Sequence, residues 1–332
     1  MASGRVAVWQ SMAVTISGDQ TTSPSPSSRP RPWARWVGLA VVALAAACGS
    51  SDPGDRPGPG TAAAAPTTPS SVSPTPEPAG TPEAGFVAFG DFGGGSAQAS
   101  VASAMEAWVG AGHRADALVT TGDNVYQVAE PSLFEAQLDE PYRALRESRP
   151  MWVTLGNHDV AGIYGDDELA YLGLPPLPYV KTLPGVQILF LDANRPDDAQ
   201  ARWLDEALAA PGPPFRIVVF HQPAWSCGLH GSTDAVDDRW VPVIERHRVA
   251  LVLNGHDHHY ERFESEDGVT YVVSGGGGRE LYPTLGRCMD EPEQKAVAVR
   301  HHFLAVEVDG DTLTLAAVGV DGSVFDRATI ER

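Results

Sequence analysis

Seven short apolar runs stand out in the later part of the chain: 86–89, 117–121, 151–155, 186–191, 215–220, 249–253 and 269–273. Most are continuous rather than alternating, the pattern of strands covered on both faces. Helical spacing fills the stretches between them. Residues 97–109 form one such stretch and 198–209 another, with Trp203, Leu204 and Leu208 on one face and Asp197 or Asp198 placed to cap it. A third covers 237–247. From Phe303 onward the pattern alternates: Phe303, Ala305 and Glu307, then Asp309-Gly310-Asp311, then 312–318, then a second turn at Asp321-Gly322. Asp-Gly turns between alternating runs predict antiparallel hairpins. No repeat recurs at a fixed period. The expected fold class is α/β: one domain with a mixed sheet, helices outside and an antiparallel C-terminal section.

Residues 49–84 break the pattern. They are dominated by Pro, Ser, Thr, Gly and Ala, cannot bury enough surface to offset the entropy of ordering them, and read as a disordered tether. Residues 85–332 remain as one domain large enough for a full core. Ahead of the tether, Arg29, Arg31 and Arg35 precede a 12-residue apolar run, 36–47, and then Cys48-Gly49-Ser50-Ser51. A bilayer span needs about 20 apolar residues, so this run fits a signal-peptide core, with residues 1–48 as N-terminal extension and signal. Leu44-Ala45-Ala46-Ala47-Cys48 resembles a bacterial lipoprotein cleavage site, its leucine one position earlier than usual. That resemblance implies a lipid anchor at Cys48 and a place on the outer face of a bacterial envelope membrane.

Charge narrows the partners. Residues 1–48 hold four Arg and one Asp, so against a total of −19 the remainder stands at −22. An acidic surface excludes partners held by phosphate-backbone electrostatics, and no nucleic acid is expected. An anionic substrate then needs a locally positive centre, which metal ions supply. Cys227 and Cys288 form an even pair in an exported domain, which points to a disulfide.

The chemistry lies just after the apolar runs. They lead into Asp91-Phe92-Gly93, Gly122-Asp123-Asn124-Val125-Tyr126, Gly156-Asn157-His158-Asp159, His221-Gln222-Pro223 and Asn254-Gly255-His256-Asp257-His258. In open α/β sheets ligands bind outside the carboxyl ends of the strands, so these five loops should meet at one edge. Two Asp, one Tyr, one Asn and three His are more ligands than one zinc takes. They suit two hard or borderline ions sharing a carboxylate, roughly 3.5–4 Å apart, which polarise phosphoryl oxygens and acidify bound water. Glycines before Asp123, Asn157 and His256 let the backbone turn sharply there.

In this order the five motifs resemble those of the calcineurin-like metallophosphoesterases, and the 122–126 segment is similar to the purple acid phosphatases. The resemblance spans most of 86–320, including the helix bearing Gln200, Trp203 and Leu204. It implies an αββα sandwich of mixed sheets. It also implies Asp91, Tyr126 and His258 as ligands of a ferric ion, and Asn157, His221 and His256 as ligands of a divalent iron, zinc or manganese. Asp123 would bridge the two. A phenol of pKa near 10 ligates as phenolate only beside a strongly acidic cation, which suits Tyr126 to ferric iron. His158 would touch the phosphate, with Asp159 orienting its ring. The segment from His221 to His230-Gly231 is similar to the tartrate-resistant members, where the second histidine assists substrate binding or protonates the leaving group, an effect of about 10²–10⁴ in rate.

The implied function is a secreted, lipid-anchored phosphatase acting on small-molecule phosphate monoesters. A phosphodiesterase or nucleotidase on the same centre is the alternative. A redox iron protein and an inactive tethered binding module are weaker ones, since Asn157 and His158 suit phosphate chemistry and all seven ligands are present. Other features are bland. The glycines at 275–278 suit a close backbone approach beside the site. His259, His301 and His302 have no motif partner, the last two being expected at a strand start; His113 and His247 suit helix C-termini.

Overall fold

The run at 86–89 shows how the elements arise. In the computed structural model, which describes residues 83–288 and 292–332, it lies in strand β1 (Ala84–Phe89). Phe86 and Ala88 enter one apolar layer while Val87 and Phe89 enter another. A strand buried on both faces needs apolar side chains at every position. Next come α1 (Gln98–Gly110), β2 (Ala117–Thr120), short helical turns, α2 (Arg143–Arg146), β3 (Met151–Val153), α3 (Asn157–Val160) and α4 (Gly165–Tyr171). The chain continues through β4 (Tyr179–Leu183), β5 (Val186–Phe190), α5 (Asp198–Ala209), β6 (Phe215–Val219), α6 (Asp234–Arg239), α7 (Val241–Arg246) and β7 (Leu251–Asn254). It ends with β8 (Tyr260–Glu264), β9 (Thr270–Ser274), β10 (Glu293–Ala298), β11 (His302–Asp309), β12 (Thr312–Gly319) and β13 (Val324–Glu331).

The strands form two sheets, ordered β13-β12-β11-β1-β2-β3 and β10-β8-β9-β7-β6-β5-β4. Strands β1, β2 and β3 run parallel in the first, as do β5, β6, β7 and β9 in the second. The other pairs are antiparallel. Phe86, Val119, Ile217, Leu253 and Val306 belong to the layer shared by the two sheets. Met105 and Leu169, from α1 and α4, cover the first sheet's outer face; Leu204 and Ile244, from α5 and α7, cover the second's. This is the expected αββα order, with two sheets where the runs alone predicted one mixed sheet.

All seven apolar runs become strands. The expected helix at 237–247 is instead two, α6 and α7, parted at the fully buried Trp240. Pro242, in the first turn of α7, has no N–H to continue the earlier helix. Asp197 caps α5, its carboxylate accepting from the Ala199 and Gln200 amides at 3.0 and 2.9 Å. Strands β4, β8 and β10 escaped the pattern because they lie at or next to sheet edges. Along β10, Glu293, Lys295 and Val297 face solvent in alternation.

Cys227 and Cys288, 61 positions apart, are joined as expected. The expected signal, the expected lipidation site at Cys48 and the expected tether up to residue 82 lie outside the described residues. Among the described residues no helix is long and apolar enough to cross a membrane.

His302 opens β11 fully buried. Its Nδ1–H donates to Arg300 O at 2.9 Å, and its Nε2 lies 2.9 Å from Ser274 Oγ. Burial pushes this imidazole down to about 4. An unfolded histidine titrates near 6.5, so the unfolded chain takes the proton first and stability falls as pH drops from about 6.5 to about 4. In urea unfolding, the wild type should lose on the order of 2 kcal/mol more over that span than His302→Asn; identical slopes would refute this. A Cys227→Ser/Cys288→Ser double variant should lose about 2–4 kcal/mol in the same assay. An unshifted midpoint would mean the bond adds nothing.

Candidate metal centre

Three expected ligands occupy left-handed backbone: φ is 58° at Asp91, 52° at Asp123 and 75° at His256. Side chains with a Cβ resist this region, and residues held there cluster at functional sites. A glycine precedes each. Gly122 itself has φ 92°, and a Cβ on it would fall 2.7 Å from His221 Nδ1. A Cβ on Gly156 would run into the Asp123 carboxylate. These glycines therefore let two loops close on each other.

The fold brings all seven expected ligands together. Donor atoms of Asp91, Asp123 and His221 lie within 4.8 Å of one another, and all three residues are buried. Tyr126 OH donates to Asp123 Oδ2 at 2.7 Å and lies 3.4 Å from His258 Nε2. His258 Nε2 in turn lies 3.4 Å from Asp91 Oδ1. On the other side, His221 Nε2 is 3.4 Å from Asp123 Oδ1, 3.2 Å from Asn157 Oδ1 and 3.3 Å from His256 Nδ1. Asp123 thus touches both groups, Tyr126 through Oδ2 and His221 through Oδ1. The far nitrogens of two rings are anchored: His221 Nδ1–H donates to Thr121 O at 2.8 Å and His258 Nδ1–H to Glu280 O at 2.7 Å. Such outer bonds fix the tautomer and aim Nε2 inward.

The electrostatics fit cations. Burial opposes ionisation of Asp123, but His221 and the Tyr126 and His158 donors outweigh it and hold its carboxyl well below the usual range. Burial lowers His221 too, yet Asp123 and Asp91 push it up to about 10. His258 is raised, its loss of hydration outweighed by Asp91. Burial, then the neighbouring His221 and His230, push His256 down to about 3. Tyr126 is driven far up by burial and by the charges of Asp91 and Asp123. The two buried carboxylates thus favour positive charge on His221 and His258 and disfavour a second negative charge on Tyr126. Metal ions displace protons from such ligands, and this donor set fits two of them.

The expected substrate residues lie beside the cluster. His158 N–H donates to Asp123 Oδ1 at 2.9 Å, and its ring packs 4.2 Å from that of Tyr126. His230 is exposed, its ring 4.3 Å from that of His256. Asp159 departs from expectation: it does not orient His158, whose Nδ1 instead lies 3.0 Å from Gln127 O. Fully buried, Asp159 accepts from the amides of Gly156 (2.7 Å), Asn124 (2.9 Å) and Val125 (2.9 Å) and from Asn124 Nδ2 (3.1 Å). It ties the Asp123 loop to the Asn157 loop.

Sequence reasoning missed several supports. Glu168 on α4 is fully buried, and burial, then the Asp159 charge, raise its carboxyl well above the usual range. Gln137 braces Tyr126 twice, accepting from its amide at 2.9 Å and donating to its carbonyl at 3.0 Å. Asp257 accepts from the His230 amide at 2.9 Å and Ser226 Oγ at 2.6 Å. Arg279 and Tyr282 cover Tyr126 and His258. Only Asp257 carried a signal, being inside a ligand motif. Four glycines before Arg279 marked the close approach but not the side chain after it.

With this geometry, the calcineurin-like phosphoesterase model matches residues 85–260. The chain belongs to that family. It is a dinuclear metallophosphoesterase, a hydrolase of the phosphatase kind. Human tartrate-resistant acid phosphatase type 5 is 29% identical over 245 residues, covering 59% of this chain and 74% of that protein. Purple acid phosphatase 4 of Arabidopsis thaliana is 24% identical over 277 residues, covering 72% and 80%. Among solved structures, the yellow lupin (Lupinus luteus) purple acid phosphatase PPD1 superposes with a TM-score of 0.63 at 17% identity, over 75% of this chain and 54% of that one. The Plasmodium inner-membrane-complex anchor GAP50 reaches 0.64 at 19% identity, over 75% and 88%. These two likenesses speak for the fold of this phosphoesterase.

Removing the Asp159 acceptor strands several buried N–H groups, each costing about 1–3 kcal/mol. Asp159→Ala should therefore destabilise the protein by about 3 kcal/mol or more in urea unfolding and lower its bound metal. Wild-type stability and metal content together would show that the two loops hold without it.

Proposed function

We propose that this phosphoesterase is an exported, lipid-anchored phosphatase of the purple acid type that hydrolyses small-molecule phosphate monoesters. The observation that carries the reading is Tyr126, whose hydroxyl reaches both Asp123 and His258 at the edge of the cluster. A phenol there suits ferric iron, with Asp91, His258 and bridging Asp123 completing that side. Asn157, His221 and His256 then hold a divalent ion. When bound, the two ions supply Lewis acidity and an acidified water.

The protein's own groups do the rest. His158, held through its amide by Asp123 and packed on Tyr126, faces the substrate phosphate. His230, exposed at the mouth beside His256, is placed to protonate the leaving group. Export and anchoring rest on the basic and apolar segment before Cys48, and the Cys227–Cys288 bond supports an oxidising compartment.

The test measures the visible spectrum, metal content and p-nitrophenyl phosphate hydrolysis on one chelator-free sample. A broad visible band with iron and phosphate release is expected. Asp123→Ala should abolish the band and lower the rate at least about 100-fold, since it removes the shared ligand. Full activity without iron or band, even after iron reconstitution, would exclude Tyr126 as a ligand.

A further inference from the structure

The segment after the four glycines is fixed to the ligand set by its main chain. Gly277 N–H donates to Gly90 O at 2.9 Å, Arg279 N–H to Asp91 O at 2.9 Å and Tyr282 N–H to His258 O at 3.1 Å. His258 donates back to Glu280 O. The Arg279 side chain therefore starts from a defined point beside two ligands. Its guanidinium carbon lies 4.4 Å from the centre of the Tyr126 ring, whose hydroxyl is bonded to Asp123.

A guanidinium so placed lacks a strong anionic partner. Its side chain is 21% exposed, and Nε is buried with no hydrogen-bond partner. Its ion pair, Nη2 to Glu280 Oε2 at 3.3 Å, runs to a carboxylate 70% exposed. Exposed pairs of this kind contribute little, so Glu280 does not account for a partly buried cation. Stacking on an aromatic face orients the planar fork that binds phosphate bidentately. A phosphoryl dianion is the strong partner that such a fork fits.

We propose that Arg279 is a specificity-determining residue that binds the phosphoryl group of the substrate and selects monoesters over diesters. The inference rests on the phosphatase reading above. A bidentate fork needs two terminal oxygens. A monoester has three, so two can face Arg279 while one remains for the centre. A diester has two, for which fork and centre compete, and carries one negative charge less. The same contact retains inorganic phosphate as a competing product.

The test uses full-length, metal-loaded protein with Arg279→Gln and Arg279→Lys, matched for metal content. Calorimetry measures inorganic phosphate binding, and kcat/KM is read on p-nitrophenyl phosphate and bis(p-nitrophenyl) phosphate. Arg279→Gln should weaken phosphate binding about 10–100-fold and cut the monoester-to-diester ratio about tenfold or more, the loss of a charge-assisted bond. Arg279→Lys should fall between, keeping charge but not the fork. Should Arg279→Gln not fold, Arg279→Met answers the question: it keeps an apolar stem over Tyr126 without the charge and should weaken phosphate binding to the same extent. An unchanged constant counts against the proposal. Wild-type phosphate affinity in Arg279→Gln overturns it and leaves the phosphatase reading intact, including where both esters slow equally. A wild-type protein that cleaves neither ester overturns the reading underneath.

Discussion

Two negative charges are forced together here. Asp91 and Asp123 are buried, and their carboxylates lie within 4.8 Å of each other. At an effective dielectric of about 20 such a pair repels by on the order of 3 kcal/mol, before the cost of removing each from water. Parallel pairing of β1 with β2, Phe89 opposite Thr120, holds them there. The rest of the centre answers that constraint. Protons are drawn to His221 and His258, the Tyr126 hydroxyl turns inward, and the His158 amide points at Asp123. Two cations satisfy the same charges better, and the anchored imidazoles are already aimed at them.

Around the ligands, carboxylates act as fasteners between loops of different strands. Asp159 gathers the amides that follow β2 and the one that follows β3. Asp257, after β7, holds the amides of His230 and Gly231 on the loop that follows β6. Bonds of this kind replace apolar packing at the sheet edge, where the core has run out. Behind Asp159 lies the buried Glu168, whose carboxyl is raised by burial and then by the Asp159 charge.

The convergence of the candidate ligands was legible because each follows a continuous apolar run at a short offset, so one local rule located all five loops. The central parallel strands were legible for the same reason, and β10, with every second residue in solvent, was not. Contacts made across the fold left no such mark. Glu168 and Gln137 lie on helical turns in ordinary polar surroundings, and only tertiary packing brings them to the Asp123 loop. Asp159 was misread through its neighbour. Adjacent residues on a helical turn such as α3 point in different directions. His158 therefore faces Tyr126 while Asp159 turns inward to the backbone.

The glycines at 275–278 make the close backbone approach expected of them, and their missing side chains decide how the substrate side is built. A Cβ on Gly277 would strike Gly90 O, and one on Gly275 would strike Asp257 O. Bare backbone alone can lie this close to two ligand loops. Having arrived there, the chain carries Arg279 over Tyr126 and Tyr282 over His258, its ring stacked at 4.0 Å. Leu285 N–H then donates to Cys227 O at 2.9 Å, and the disulfide closes the segment onto the loop that bears His230. Main-chain bonds and one covalent link thus stand in for a hydrophobic core on this side.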